Sequence, residues 1–221
     1  MKIVLYGATG RAGSRILTEL LGRGHEVVAV VRNIGKDPDR LAPNDGLTVV
    51  EGDLSSVDGI AERIGGAQAV VSSYGPPPDK TEELIGVTKR LIAAVQQVSQ
   101  QASSPEHAPR LIVVGGAASL EVAPGVRLES TKDFPAQWRP IAQAHEKALG
   151  LLQKSSIDWT YLSPSAFFEP GPRTGTFRLG QDALLTAGDG KSWISMEDYA
   201  IALVDELEQP QRRRQRFTVG Y

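Results

Sequence analysis

The feature that most constrains the fold of this chain is a run of three evenly spaced glycines near its amino end. The run reads Gly7-Ala8-Thr9-Gly10-Arg11-Ala12-Gly13, directly after a short apolar run and before an apolar stripe at helical spacing. A strand, a tight turn and a helix in this order bring backbone N–H groups and the positive end of the helix dipole to a pyrophosphate. The run therefore predicts a dinucleotide-binding turn. We expect its contacts with the cofactor to come from Gly7, Thr9, Gly10, Arg11, Ala12 and Gly13.

Apolar runs and helical stripes alternate along most of the chain. Six runs rich in Val, Ile or Leu show little polar alternation, which is typical of strands buried on both faces of a parallel sheet. They cover residues 3–6, 27–31, 47–50, 69–71, 111–114 and 159–162. The alternation predicts an α/β fold, a Rossmann-like doubly wound parallel sheet, in a single domain spanning residues 1–221. Crowded prolines and glycines predict a small cap over the carboxyl edge of the sheet at residues 163–195.

The composition excludes several classes of function. The 221 residues include 24 Lys plus Arg against 26 Asp plus Glu, a formal net charge of −2, which argues against nucleic acid as a partner. There is no cysteine, which excludes thiol catalysis, and the histidines His25, His107 and His145 have no metal-ligand spacing. No apolar stretch approaches the ~20 residues of a membrane span, and the first residues lack a signal-peptide layout. We expect no metal, no membrane partner and a cytoplasmic location, with a monomer and a homodimer both open.

The residue at the end of the second predicted strand bears on the choice of cofactor. A carboxylate there would accept hydrogen bonds from the adenosine ribose and favour NAD. The chain instead has Arg32, nineteen residues beyond Gly13, with Arg11 in the glycine run as a second cation. Guanidinium groups suit a 2′-phosphate, which they bind through charge-assisted hydrogen bonds. The sequence therefore favours NADP(H) over NAD(H), unless Arg32 is merely solvated.

Further segments match a known group of proteins. They are Glu51-Gly52-Asp53-Leu54, Val113-Val114-Gly115-Gly116-Ala117-Ala118-Ser119-Leu120, the block at residues 161–171 and the final residues 216–221. With the glycine run, they make the chain resemble an atypical short-chain dehydrogenase/reductase of the NmrA-like, NAD(P)-binding family over essentially its whole length. Within that family it is most similar to bacterial proteins called NADH-flavin reductases, relatives of the flavin reductase that is also biliverdin-IXβ reductase.

The resemblance implies further contacts with a nicotinamide dinucleotide. Asp53 would lie beside the adenine, and the loop after the fourth strand would pass the ribose and phosphates. Two alternatives remain open: Asp53 could cap the helix that begins near Ser55, and Tyr74 could be a wall residue that packs on its neighbours. The implied contacts beyond the glycine run are Asp53, Leu54, Ser73, Tyr74, Gly75, Gly115, Gly116, Lys147, Pro164, Ser165 and Phe167.

The catalytic residues of short-chain dehydrogenases are only partly present. The usual set is Ser, Tyr and Lys, with Tyr and Lys four residues apart on one helix so that the Lys lowers the Tyr pKa. Lys147 fits the Lys position and Ser119 approximates the Ser position, but Gln143 stands where the Tyr is expected. His145 is a candidate acid in place of the Tyr, and its alternative role is that of a hydrogen-bonded structural histidine.

Without a proton-transfer tyrosine, hydride transfer to an acceptor that stabilises its own negative charge is the favoured chemistry. A flavin or a quinone-like ring has this property, and Gly115-Gly116 would leave room for a flat ring. The alternatives are a dinucleotide-sensing protein without turnover and a sugar-nucleotide epimerase or dehydratase, the last disfavoured by Gln143. The expected partner is therefore a small planar acceptor. Its wall would come from Tyr74, Pro76, Pro77, Phe134, Trp138, Phe167 and Phe168. For each of these residues, ordinary packing in the core or the cap remains the alternative.

Overall fold

A computed structural model describes residues 1–35, 41–104 and 108–221 of the chain. The first elements are β1 (Lys2–Tyr6), α1 (Arg11–Gly22), β2 (Glu26–Val31), β3 (Leu47–Glu51), α2 (Val57–Ile64), β4 (Ala69–Ser72), α3 (Glu83–Gln101) and β5 (Arg110–Val114). They are followed by β6 (Glu121–Ala123), β7 (Val126–Arg127), α4 (Arg139–Gln153), β8 (Trp159–Ser163), β9 (Phe167–Glu169), β10 (Arg178–Gly180), β11 (Trp193–Ser195), α5 (Met196–Glu208) and β12 (Gln215–Gly220). The six predicted strands are confirmed, and so is the predicted helix after the glycine run.

The main sheet has eight strands in the order β10-β12-β8-β5-β4-β1-β2-β3. Its pairs are parallel except for β10, which runs antiparallel to β12 at the edge. The chain builds outward from β1 to β3 and then crosses to β4 on the other side of β1. This reversal creates a crevice at the carboxyl ends of β1 and β4, where open α/β sheets bind their ligands. The predicted doubly wound fold is confirmed.

Helices cover both faces of this sheet. On one face α1 and α5 pack against each other, with Ile16, Leu20 and Leu203 in a shared apolar core. On the other face α2, α3 and α4 bury Ile60 and Leu152, among other residues. Because both faces are covered, consecutive residues of β1, β4, β5 and β8 are buried, which explains why these strands lack polar alternation. The edge strand β3 has no fully buried residue, so the expected burial on both faces is wrong for residues 47–50.

The segment predicted as a cap is anchored on α5. Strands β9 and β11 form a separate two-stranded parallel ladder, while β10 extends the main sheet. The carboxylate of Asp198, on the first turn of α5, accepts hydrogen bonds from the N–H groups of Thr174 at 2.8 Å and Gly175 at 2.9 Å. The hydroxyl of Tyr221 donates to the same carboxylate at 2.6 Å. Among the described residues, no helix has the length and apolar character needed to cross a bilayer.

Candidate active site

The glycine turn is shaped by close backbone packing. Gly7 has a φ of +82°, and a Cβ built on it would lie 2.4 Å from the carbonyl oxygen of Ser73. A Cβ on Gly13 would lie 1.9 Å from the carbonyl oxygen of Gly7. Gly10 is less constrained, because its Cβ would lie 3.1 Å from that oxygen and its φ is −72°. The fold therefore requires glycine at positions 7 and 13, whereas Gly10 leaves the surface of the turn free of a side chain.

The amino end of α1 is open, unlike that of α5. Its N-cap is Gly10, no side chain caps its N–H groups, and its first turn has no acidic residue. In α5 the hydroxyl of Ser195 accepts a hydrogen bond from the N–H of Asp198 at 3.0 Å, and acidic residues occupy the first turn. The unpaired N–H groups and positive dipole end of α1 thus form a cradle for an anion. A dinucleotide pyrophosphate fits this cradle, which lies at the carboxyl edge beside β1 and β4.

The two arginines predicted to bind phosphate make different contacts. The guanidinium of Arg11 forms an exposed ion pair with Glu169 on β9, so it bridges the glycine turn and the cap. Arg32 is exposed at the end of β2 and makes no hydrogen bond or ion pair with any residue that the structure describes. Of the two, Arg32 is therefore the one whose guanidinium has no charged partner among the described residues, and its contact with a 2′-phosphate stays a prediction.

The loop after β3 has its own local hydrogen bonds. The carboxylate of Asp53 accepts from the hydroxyl of Ser55 at 2.5 Å and from its N–H at 2.9 Å, and these bonds lower the pKa of Asp53. The N-cap of α2 is Ser56, whose hydroxyl accepts from the N–H of Gly59 at 3.2 Å. The alternative that Asp53 caps this helix is therefore wrong, and its contact with an adenine stays a prediction.

Two arginines hold this loop in place. Arg63 donates to the carbonyl oxygen of Glu51 at 3.1 Å, and Arg90 donates to the carbonyl oxygen of Leu54. Leu54 itself is buried in the same apolar cluster as Tyr6, at the end of β1. The Tyr6 hydroxyl is buried without a partner among the described residues, and burial raises its pKa to about 12. The sequence analysis did not single out these three side chains, because they reach the loop from distant helices and from β1.

Tyr74 lies between the glycine turn and α3. Its hydroxyl donates to the carboxylate of Glu83 at 3.0 Å, and its ring packs on apolar residues of α3 and α4. Burial raises the Tyr74 pKa, the bond to Glu83 raises it further, and the charges of Arg32 and Arg90 oppose this rise. Tyr74 is therefore a wall residue, as one alternative predicted, and it stands within reach of the charge of Arg32. The neighbouring Gly75 is exposed, with open space around its Cβ position.

Lys147 and Gln143 are both exposed on α4. The ammonium group of Lys147 lies 3.5 Å from the carboxylate of Glu82, just before α3. Over half of this lysine side chain is exposed, so the pair is open to exchange for another partner such as a ribose hydroxyl. Its predicted contact with a nicotinamide ribose stays a prediction.

Gly115 and Gly116 make room for two side chains of the protein itself. A Cβ on Gly115 would lie 2.3 Å from the ring of Tyr161, and one on Gly116 would lie 3.0 Å from the ring of His145. The Tyr161 hydroxyl is 2.9 Å from Nδ1 of His145. Burial lowers the pKa of His145 to about 4, so the imidazole is neutral at physiological pH. His145 thus makes the hydrogen bond expected of a structural histidine, and its part in catalysis stays a prediction. Tyr161 is a residue that the sequence analysis did not propose for the site.

Several other predicted residues have side chains committed to packing. The hydroxyl of Ser119 accepts a hydrogen bond from Arg216 at 2.8 Å. Ser165 is buried and donates to the carbonyl oxygen of Val219 at 3.0 Å, and Pro164 beside it is buried as well. The predicted cofactor contacts of Pro164 and Ser165 therefore remain predictions for their backbone atoms.

The aromatic wall is only partly assembled. Phe167 is 65% exposed, and it lies on the same face of β9 as Glu169, which pairs with Arg11. Phe168 points the other way and packs on Tyr199, with ring centroids 4.6 Å apart. The prediction that Phe168 lines an acceptor is therefore wrong, because strand alternation turns it toward the core. Phe167 remains as an aromatic surface on the glycine-turn side of the cap.

No metal centre is found in the part of the chain that the structure describes. It contains no group of three His, Cys, Asp or Glu side chains that could hold an ion. His25 is hydrogen-bonded to Glu208 at 2.9 Å, and His145 to Tyr161. His107 lies outside the described residues.

Comparisons with known proteins agree with this fold and turn. A family model described as NAD(P)H-binding matches residues 7–210. A Bacteroides thetaiotaomicron structure named "putative epimerase" is 42% identical, with a TM-score of 0.87, over 100% of this chain and 96% of that one. A Burkholderia pseudomallei structure named "Putative exported protein" is 40% identical, with a TM-score of 0.87, over 100% of both chains. A "putative NADH-flavin reductase" from Streptococcus pneumoniae TIGR4 is 32% identical, with a TM-score of 0.84, over 100% of this chain and 99% of that one. The chain belongs to the NAD(P)H-binding family and has the Rossmann-like fold of the NAD(P)-dependent oxidoreductases.

Proposed function

We propose that this protein is an NAD(P)H-dependent reductase that prefers NADPH and delivers hydride to a flavin or a quinone-like acceptor. The observation that supports this most is the open amino end of α1, which has neither a capping side chain nor an acidic residue in its first turn. This end lies at the switch point of the sheet, where a pyrophosphate would meet both a crevice and a positive helix end. The similar Streptococcus protein named as an NADH-flavin reductase supports the same class of reaction.

Arg32 supports the preference for NADPH. Its guanidinium is exposed at the end of β2, at the position where an acidic residue would favour NAD. A 2′-phosphate there would gain charge-assisted hydrogen bonds that the ribose of NADH cannot provide. Arg11 contributes less, because Glu169 already pairs with its guanidinium.

The residues of the site suit an acceptor that needs no protein acid. A bound nicotinamide would supply the hydride, which adds two electrons and one hydrogen to the acceptor. Gln143 exchanges no proton, and the neutral imidazole of His145 is a poor acid because burial lowers its pKa to about 4. A flavin or quinone spreads the added negative charge over its ring, so solvent can deliver the proton afterwards. The protein then has to hold the two rings together, with Tyr74 and Phe167 as walls.

Stopped-flow oxidation of NADPH with and without riboflavin or menadione tests the proposal. We expect acceptor-dependent oxidation by the wild-type protein. Its loss is expected in Gly10→Val, which places a side chain on the pyrophosphate surface while the fold persists by circular dichroism. Tight NADPH binding without oxidation by any acceptor would contradict the proposed activity.

The second candidate is a dinucleotide sensor without turnover. It is favoured by the glutamine at position 143 and by the ion pair of Arg11 and Glu169, which links the pyrophosphate turn to the cap. In that case the cap would change its contacts when the dinucleotide binds. The same stopped-flow experiment separates the two candidates, since a sensor binds NADPH and does not oxidise it.

A cytoplasmic location is part of the proposal, because a reductase needs access to the NAD(P)H that metabolism regenerates inside the cell. The similar Burkholderia protein is named as exported. Cell fractionation of the native host followed by immunoblotting decides between the two locations, and recovery outside the cytoplasmic fraction would contradict this part.

A further inference from the structure

A short chain of hydrogen bonds ends beside Gly116, at the carboxyl end of β5. The N–H of Gly116 donates to the hydroxyl of Tyr161 at 3.1 Å. The same hydroxyl lies 2.9 Å from Nδ1 of His145 and 3.4 Å from the carbonyl oxygen of His145. Burial raises the pKa of Tyr161 well above its usual value, so the hydroxyl keeps its proton. The hydroxyl oxygen of Tyr161, on β8, therefore connects the N–H of Gly116, just after β5, to His145 on α4.

The position of the proton on the imidazole depends on which acceptor takes the single hydrogen of the Tyr161 hydroxyl. The Tyr161 hydroxyl has one hydrogen to donate, and Nδ1 of His145 is its nearer acceptor. A ring nitrogen that accepts a hydrogen bond carries no proton, so in this arrangement the proton of the neutral imidazole sits on Nε2. In the other arrangement Nδ1–H donates to the Tyr161 hydroxyl, the hydroxyl donates to the carbonyl oxygen of His145, and Nε2 carries no proton.

The imidazole of His145 lies beside Gly116, at the carboxyl edge of the sheet. No residue that the structure describes forms a hydrogen bond to Nε2 of His145, and this atom is not fully buried. His145 is only partly buried, and two atoms of its ring would lie 3.0 and 3.1 Å from a Cβ at position 116. The strand that leads to Gly116 is separated from β1 by β4 alone, so the ring lies beyond the pyrophosphate cradle along the same crevice.

We propose that the Nε2–H group of His145 donates a hydrogen bond to a carbonyl oxygen of the acceptor, and that Tyr161 is the positioning residue that keeps this N–H in place. The inference rests on the proposed function and narrows its substrate class to acceptors with a ring carbonyl, such as quinones and flavins. Hydride transfer places two electrons and one hydrogen on such an acceptor, and its carbonyl oxygen becomes negatively charged. A neutral N–H stabilises that charge without giving up its proton, and the proton comes from water.

Two-dimensional ¹H–¹⁵N spectra of the imidazole nitrogens test the geometry without any turnover. In the wild-type protein we expect the His145 pattern of a neutral ring protonated at Nε2, and in Tyr161→Phe a mixture of both tautomers. Menadione added to the NADP⁺-bound protein should shift the Nε2–H resonance, whereas the carbonyl-free N-methylphenazinium cation should not. A wild-type ring protonated at Nδ1, or a resonance that menadione leaves in place, would overturn the inference.

A matched pair of substitutions tests the effect on the reaction. His145→Gln keeps an N–H donor near the position of Nε2, and His145→Met has a similar length and no donor. With menadione we expect kcat/KM to fall roughly three- to tenfold in His145→Met and to recover in large part in His145→Gln. With N-methylphenazinium, which accepts hydride on a ring without a carbonyl, the three proteins should agree within about twofold. Equal losses with both acceptors would identify a purely structural role.

The outcomes separate this inference from the proposed function. No oxidation of NADPH with either acceptor, together with a menadione-induced shift of Nε2–H, would contradict the reductase activity and leave the carbonyl contact standing. Turnover with both acceptors and no difference between the two variants would contradict the contact alone. If His145→Met does not fold, kcat/KM of Tyr161→Phe with menadione and with N-methylphenazinium is compared with that of the wild-type protein.

Discussion

Helices α1 and α5 pack side by side on one face of the sheet and differ sharply at their amino ends. The end of α5 is closed, because Ser195 caps it and acidic side chains occupy its first turn. The end of α1 has a glycine N-cap, no acid and an arginine at its first position. A helix needs its first N–H groups satisfied, so the protein itself satisfies those of α5 and leaves those of α1 for an outside anion. The contrast separates a structural helix from a ligand-binding one on the same face.

Giving α1 the kind of cap that α5 has should produce the largest effect. In Gly10→Asp the new carboxylate would accept hydrogen bonds from the helix N–H groups and repel a pyrophosphate. The φ of −72° at Gly10 allows this side chain. We expect NADPH affinity to fall at least about 100-fold, or about 2.7 kcal/mol, with no loss of thermal stability. Calorimetric titration measures the affinity, and retained micromolar binding would place the nucleotide elsewhere.

Arg32→Ala should give the next largest effect, and it should be selective. Loss of a charged hydrogen bond to the 2′-phosphate would weaken NADPH binding by about 1.5–3 kcal/mol and leave NADH binding nearly unchanged. Parallel titrations with the two dinucleotides measure the difference. Equal losses for both would remove the assignment of Arg32 to the 2′-phosphate.

Opening the amino end of α5 should change stability and not ligand binding. Ser195→Ala removes the capping hydroxyl, which also bonds to the carbonyl oxygen of Pro172 at 2.7 Å. We expect the free energy of unfolding in urea to fall by about 1–2 kcal/mol, because buried groups lose their partner. The affinity for NADPH should stay within twofold of the wild-type value, and a larger change would break the distinction between the two helices.

Releasing Arg11 should give the smallest effect. Glu169→Gln removes the ion pair with Arg11, whose side chains are 58% and 62% exposed, so solvent screens most of the interaction. Without its competitor, Arg11 should improve NADPH affinity by roughly two- to threefold at low ionic strength. The gain should vanish in 0.5 M salt. Weaker binding of NADPH by Glu169→Gln would mean that Glu169 instead holds Arg11 in a productive position.

The local features of the site could be predicted from the sequence. The glycine turn, the strand before it and the helix after it lie within one stretch of chain, and their spacing is set by local backbone geometry. The buried strands were recognisable because two helical layers remove polar alternation. The positions of Gly10 and Arg32 at the crevice therefore follow from the local sequence pattern alone.

The long-range pairings could not be predicted in this way. Arg11 pairs with Glu169, which lies 158 positions away in the sequence, and no local pattern predicts such a pair. The contact of Tyr161 with His145 has the same origin, since it joins a strand to a helix at the end of the sheet. Gly115 and Gly116 were expected to make room for a ligand ring, whereas they first make room for these two side chains. The charge and spacing of residues in the sequence do not show which distant side chain packs into the space beside a glycine.

The central claim is that a dinucleotide binds at the open end of α1, and backbone amide NMR during a titration with NADPH tests it most directly. We expect the largest shifts at the amides of Arg11, Ala12 and Gly13, whose N–H groups would donate to the pyrophosphate. The amides in the first turn of α5 should stay in place, because Ser195 already serves that end. Shifts that centre away from residues 11–13 would contradict the account.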